Sequence, residues 1–264
     1  MLPDLAQFVS RSLKRLKLPV SFLLLTAVIT AAIAAYPAIS IDSAVMLNRS
    51  SLDSLPAGSV INTSEVKGGT NSCFYAQKIN TSLKKRILGI SFQEDGKTAL
   101  SDLRYLRVLY YGFDEKSHIG ELIVNKKIAD DFLSIFKELY KVEYPIEKMV
   151  LVDEYDADDK ASMEDNNTSA FNYRTVAGST NLSKHAMGLA IDINPLYNPC
   201  VEKINGKTVV SPAGGEEYAD RSLQNSYYIK KGDICYEAFI KRGFLWGGSW
   251  SSLKDYQHFQ KIIK

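Results

Sequence analysis

Apolar positions along this chain occur as one unbroken block, as short β-favouring runs and at helical spacing. The block, Leu18 to Ile41, carries no charged residue and is long enough as a helix to cross a hydrocarbon layer of about 30 Å. The short runs are Arg86 to Phe92, Tyr105 to Tyr111, Gly120 to Val124, Ala170 to Arg174, Gly188 to Ile193 and His258 to Ile263, all predicted strands. Helical spacing appears at Ile128, Phe132, Ile135, Phe136, Leu139 and Tyr140, with Asn125 as the expected cap and Pro145 beyond the end. A second, shorter helix is expected over Tyr236 to Lys241, and Met149 to Val152 returns to extended character. Tyr155 to Asn167 is acidic and lacks apolar periodicity, so it reads as a long loop of the kind that carries function.

Strands and helices are mixed without a regular βαβ alternation, which predicts an α+β fold with a small, mostly antiparallel sheet and flanking helices. Around it, residues 1–17 form a basic leader, 18–41 a transmembrane anchor or signal peptide, 42–72 a polar flexible tether, and 73–264 the working domain. Arg11, Lys14, Arg15 and Lys17 precede the apolar block. The positive-inside bias therefore keeps the N-terminus in the cytoplasm and exports the chain beyond the block. The expected location is the inner membrane, single-pass, with the domain on the extracytoplasmic (periplasmic) side, or secretion if the segment is cleaved.

Composition narrows the classes. Apolar residues make up 45% and charged residues 23%, which describes a folded protein. The net charge is only +2. No basic stripe interleaved with aromatics comes after the leader, so nucleic acid is excluded as a partner. Cys73, Cys200 and Cys235 lie in an oxidising compartment, where Cys200 and Cys235 either staple the segment between them or remain idle thiols. No Cys-x-x-Cys spacing occurs, which argues against a cysteine zinc knuckle. Nothing in the sequence calls for a second copy, and a monomer is expected.

The chain contains 3 histidines, His118, His185 and His258. His185 is followed by Gly188, which lets the chain turn, and then by an apolar strand interrupted by a carboxylate, Asp192. A charge in such a strand needs a partner, and a divalent cation is one. Imidazole and carboxylate oxygen are zinc ligands, and His258 entering the same sheet from its other end makes a third. Three protein ligands leave a further position for water, the arrangement of a catalytic zinc site. Asp255, just upstream of His258, is then the candidate general base, because a carboxylate beside a metal-activated water can take its proton and return it to a leaving amine. Taken singly each motif has an ordinary alternative: Asp192 capping a turn with Asn194 and Pro195, or a structural histidine. His118, just before Gly120-Glu121, is an alternative ligand to Asp192 or an ordinary core or surface histidine.

The Ser-x-His-x6-Asp stretch from Ser183 to Asp192 and the Asp-x-x-His stretch from Asp255 to His258 together resemble the zinc D-alanyl-D-alanine carboxypeptidase family, which includes VanY-type enzymes and the L-alanoyl-D-glutamate endopeptidases of phage endolysins. The likeness runs from about Gly120 to Phe259, through Asn167 to Arg174 and Gly243-Phe244-Leu245-Trp246-Gly247-Gly248. It implies a Hedgehog/DD-peptidase type of α+β fold, zinc on His185, Asp192 and His258, and Asp255 as catalytic acid and base. It also implies an arginine that holds substrate; Arg174 is the nearest candidate, a structural ion pair with the acidic loop being the alternative. Ser183 either hydrogen-bonds substrate or shapes its loop, and Trp246 either walls the cleft or packs in the core.

The implied partners are peptidoglycan stem peptides, and the implied reaction is hydrolysis of a D-Ala-D-Ala or an L-Ala-D-Glu type bond beside the cell's own wall. A second reading is a non-catalytic cell-wall peptide-binding module that keeps zinc as a staple. A serine or cysteine nucleophile has little support, since neither residue sits beside a histidine in an elbow or triad context.

Overall fold

The computed structural model describes residues 46–263. The expected leader, the anchor and the first residues of the expected tether lie outside the described residues. Among the described residues no helix is long and apolar enough to cross a membrane.

Three small antiparallel sheets and short helices make the fold, which is α+β as expected but divided where one sheet was predicted. The first sheet joins β1 (Tyr75–Lys78), β2 (Leu103–Tyr111) and β3 (Ser117–Asn125) in that order. β2 and β3 form a hairpin in register from Leu103 opposite Asn125 to Tyr111 opposite Ser117. Both strands are buried almost throughout, because the sheet is covered on both faces. One cover is the main core, which includes Phe132, Ile135, Phe136 and Leu139 of the expected helix, here Ala129–Lys141. The other is a smaller cluster of Ile87, Phe92, Leu103, Tyr105, Ile123, Leu151 and Phe171. Asp130 and Asp131 in the first turn and Lys141 in the last suit the helix dipole. The cap residue is Ile128; Asn125 acts one step earlier, its side-chain oxygen accepting from Lys127 N.

Two expectations are corrected upstream. Arg86 to Phe92 is not a strand: Thr81–Ile87 is helical, capped by the Asn80 side chain, which accepts from Leu83 N, and carries Lys84, Lys85 and Arg86 in its last turn. Nor is the described part of residues 42–72 a flexible tether. Leu52, Ile61 and Val66 are buried in the main core. Residues 58–61 run along β3, with Ile61 N donating to Ser117 O and Ile119 N to Ser59 O. The buried Arg107 guanidinium donates to Leu52 O and Leu55 O, at the end of a helix over Arg49–Ser54. The domain therefore takes in the chain from about Met46.

Downstream, the expected long loop contains a helix, Asp159–Glu164, capped by the Asp158 side chain. So short a helix buries only Ser162, so no apolar period marks it. Ala170 to Arg174 joins no named strand and touches the second sheet through the isolated bridge of Ser169 to Asp192. That sheet orders β4 (Ala190–Asp192), β9 (His258–Lys261) and β7 (Phe244–Trp246). The third orders β6 (Lys207–Ser211), β5 (Cys200–Ile204) and β8 (Leu253–Asp255). The expected C-terminal helix spans Ile234–Ile240. Cys73, Cys200 and Cys235 are free thiols, so no staple joins Cys200 to Cys235.

Candidate metal centre

The second and third sheets meet where β8 ends at Asp255 and β9 begins at His258. Across β4 and β9, Asp192 stands directly opposite His258, and across β5 and β8, Cys200 stands opposite Asp255. The chain reaches this junction from His185 through a single turn of tight helix that Gly188 stops at φ 65°. A Cβ at Gly188 would also lie 2.6 Å from Asn125 N, so glycine is required there by both conformation and space.

His185, Asp192 and His258 are all buried, and one ligand atom from each lies within 4.8 Å of the others. His258 Nδ1 is 2.9 Å from Asp192 Oδ1, His185 Nε2 is 3.3 Å from Asp192 Oδ2, and the two ring nitrogens are 3.2 Å apart. The outer nitrogens fix the tautomers. His185 Nδ1–H donates to Ala170 O at 2.5 Å, since a carbonyl only accepts. His258 Nε2–H donates to Gln260 Oε1 at 3.1 Å. With both outer nitrogens donating outward, His185 Nε2 and His258 Nδ1 face one another and the Asp192 carboxylate, and a proton on His258 Nδ1 occupies in the metal-free protein the place a cation would take. Such a donor set fits a divalent cation, and the outer hydrogen bonds are the support that metal-binding histidines use. Two imidazoles and one carboxylate suit zinc.

Charge follows the geometry. Burial works to raise the Asp192 carboxyl, but attraction to His185 and hydrogen bonds with both histidines outweigh it and hold the group well below the usual carboxylate range. For His258, burial works to lower the imidazole, and the hydrogen bond and charge of Asp192 overcome it, to about 9. Asp255 moves the other way, pushed up to about 6 chiefly by burial. Its Oδ1 is enclosed with no hydrogen-bond partner among the described residues. Asp255 and His258 are held together by Gly247, where an added Cβ would lie 2.8 Å from Asp255 Cβ and 3.3 Å from His258 Cβ. An enclosed carboxyl that titrates near neutrality beside a candidate metal centre suits proton transfer in either direction.

The remaining expected residues divide. Ser183 is buried, and its hydroxyl accepts from His185 N at 3.2 Å, so it shapes the loop that carries the histidine. Arg174 pairs with Asp159 at 2.8 Å, the structural ion pair with the acidic segment. Trp246 packs in the core, its indole donating to Tyr256 O at 2.8 Å. His118 belongs to the first sheet, stacked on Tyr110 and bonded to Gly58 O and Asp114, so it does not replace Asp192. A cavity of about 520 Å³ lies elsewhere, along Arg86, Arg107 and Glu121. Arg86 there is matched by Glu121 and Glu154, and Arg107 is taken up by main-chain oxygens and Tyr105.

Sequence reasoning missed Ala170, Gln260 and Trp250. Gln260 had a signal, since it lies one strand period beyond His258 and shares its face. Trp250, whose ring centroid lies 5.3 Å from that of His258, had none beyond its type. No curated protein and no solved structure matches this chain. Residues 177–261, which carry His185, Asp192, Asp255 and His258 but not Arg174, match the family model described as D-alanyl-D-alanine carboxypeptidase, and the resemblance read from the motifs is borne out over that segment.

Proposed function

We propose that this chain is a zinc-dependent peptidase of bacterial peptidoglycan that cuts a stem-peptide bond at alanine, either D-Ala-D-Ala or L-Ala-D-Glu. The observation that carries the reading is the convergence of His185 Nε2, His258 Nδ1 and the Asp192 carboxylate next to the enclosed Oδ1 of Asp255. His185 Nε2, Asp192 and His258 Nδ1 would hold zinc, which would supply Lewis acidity at that point. Ala170 O and Gln260 Oε1 keep both imidazoles in the tautomer that presents a lone pair. Asp255 takes a proton from the attacking water on its carboxylate and delivers it to the nitrogen of the leaving amine. Burial raises this carboxyl in the metal-free protein, which opposes the lowering a bound zinc would cause and favours its acting as base and then as acid.

The enclosed, unpartnered Oδ1 of Asp255 favours an enzyme over a zinc-stapled binding module, since a staple has no use for an unsatisfied carboxyl beside the metal. The export expected from the apolar block Leu18 to Ile41, whether it acts as an anchor or as a cleaved signal peptide, suits this substrate. The test is digestion of muropeptides by the full-length protein with and without a chelator, read by mass spectrometry. New fragments that disappear with chelator and return with zinc support the reading. Fragments indifferent to chelator, or none with zinc restored, overturn it.

A further inference from the structure

The two tryptophans of the chain stand four positions apart and meet different fates. Trp246 is buried, hydrogen-bonded through its indole N–H, and packed by Tyr236, Tyr256 and Phe259. Trp250 is half-buried. Its one ring contact among the described residues is His258, at 5.3 Å between centroids with the planes inclined by 53°, and its indole N–H has no hydrogen-bond partner among the described residues. A half-buried aromatic with a free donor is poorly used as packing, whereas an aromatic body with a polar tip is what recognition surfaces employ.

The backbone aims this ring. Trp250 comes directly after a tight turn over Gly247–Ser249, and its N–H closes that turn onto Gly247 O at 3.1 Å. Gly247 presses on Asp255, where a Cβ would stand 2.6 Å from Asp255 O. The turn thus carries Trp250 to the candidate metal centre as directly as β9 carries His258, while Ser251 and Ser252 beyond it are exposed.

The geometry points to Trp250 as a specificity residue, the apolar wall against which the methyl group of the alanine at the scissile bond packs, with the indole N–H donating to a backbone oxygen of the same peptide. This rests on the peptidase reading above. It holds for either candidate bond, because D-Ala-D-Ala and L-Ala-D-Glu both place an alanine there. A glycine at that position would leave the ring face unfilled.

The experiment uses zinc-loaded full-length protein carrying Asp255→Asn, so that peptide binds without turnover, and measures its affinity by calorimetry. The probes are a stem pentapeptide beginning L-Ala-D-Glu and ending D-Ala-D-Ala, and copies with glycine replacing each alanine in turn. Adding Trp250→Ala is expected to weaken binding of the alanine peptide roughly tenfold, the scale of a lost methyl contact in an apolar pocket. Trp250→Phe, which keeps a ring face, recovers most of that loss, and zinc content is unchanged in both variants. With glycine at the contacted position, Trp250→Ala costs less than with alanine, since only the indole hydrogen bond is then lost. Equal loss for alanine and glycine peptides, or tight alanine binding without the indole, overturns the assignment while leaving the peptidase reading intact. A zinc-loaded parent that binds none of the peptides, with wild-type protein that cuts none, overturns both.

Discussion

Glu121 is a buried carboxylate and Asp255 a half-buried one with its Oδ1 enclosed, and this fold treats them in opposite ways. Glu121, on β3, is 1% exposed and accepts from two nitrogens of Arg86 and from Tyr105 OH. Burial works to raise it, but the Arg86 hydrogen bonds and charge outweigh this and its carboxyl is lowered. Asp255, at the end of β8, has an oxygen with no partner among the described residues and is raised to about 6. A saturated carboxylate is committed to one ionic state and contributes to stability. An unsaturated one is held ready to change state, which costs stability and serves chemistry. The first sheet is thus built as a platform and the junction of the other two as a working site.

The largest effect expected from breaking this contrast is at Asp255. Asp255→Asn keeps the shape and removes the proton acceptor, so hydrolysis should fall by about 10²–10⁴-fold, the usual worth of a general acid-base group. Zinc content and melting temperature should hold, and a fall in either would move Asp255 to the platform side of the comparison. In the active protein kcat/KM should rise with pH as the Asp255 carboxyl passes to its base form; burial raises that carboxyl to about 6 in the metal-free protein and the charge of a bound zinc lowers it, so the rise should centre at or below that value. A profile with no rise anywhere below neutrality contradicts the role given to this group.

Glu121 should show the converse, stability lost with the site's own chemistry untouched. Removing one partner of a buried ion pair leaves the other uncompensated; here Arg86 is a third exposed and retains Glu154, so Glu121→Ala should cost about 3 kcal/mol, the low end for such changes. Urea unfolding measures it. The sign with pH comes from the lowered carboxyl: the contribution is present above the unfolded carboxylate pKa and is lost as pH falls through the folded value. Wild type should therefore lose stability on acidification faster than Glu121→Ala.

The contrast also explains what the sequence alone could reveal. β2 and β3 were legible as continuous β-favouring runs, since both faces of their sheet are buried, and the helix Ala129–Lys141 because it buries one face at helical period. Arg86 to Phe92 was misread because Ile87, Leu88, Ile90 and Phe92 look extended, although the Asn80 cap and the basic last turn of the helix Thr81–Ile87 were visible. The N-terminal segment looked like a tether because its buried residues, Leu52, Ile61 and Val66, are too scattered for any period and are gathered only by β3 and Arg107. At the metal centre His185, Asp192 and His258 were legible as types a cation needs. The groups that orient them were not: Ala170 contributes only a carbonyl, which every residue has, and Trp246 and Trp250 can be told apart only by the strand and turn that place them.

Gln260 sharpens the comparison at the next scale down. It holds the outer nitrogen of His258, so under the peptidase reading it supports a metal ligand. Gln260→Ala should weaken zinc binding by about 10–100-fold, as loss of a histidine's outer hydrogen bond does. Competition with a chromophoric chelator reads this directly, and an unchanged affinity would show that the His258 tautomer needs no support from Gln260.

The smallest effect should come from Lys84, which shares the last turn of its helix with Arg86 yet reaches outward to Glu94. The Lys84 and Glu94 side chains are 36% and 68% exposed, and their separation is 2.5 Å, the same as that of Arg86 and Glu121. Contact distance therefore does not distinguish the two pairs; the medium does. Water screens the outer pair and competes for both charges, while two long side chains lose freedom to meet. Glu94→Gln should accordingly change the unfolding free energy by about 0.5 kcal/mol or less. A loss approaching that of Glu121→Ala would mean that distance outweighs enclosure here, and the distinction between the saturated and unsaturated carboxylates would have to be drawn on other grounds.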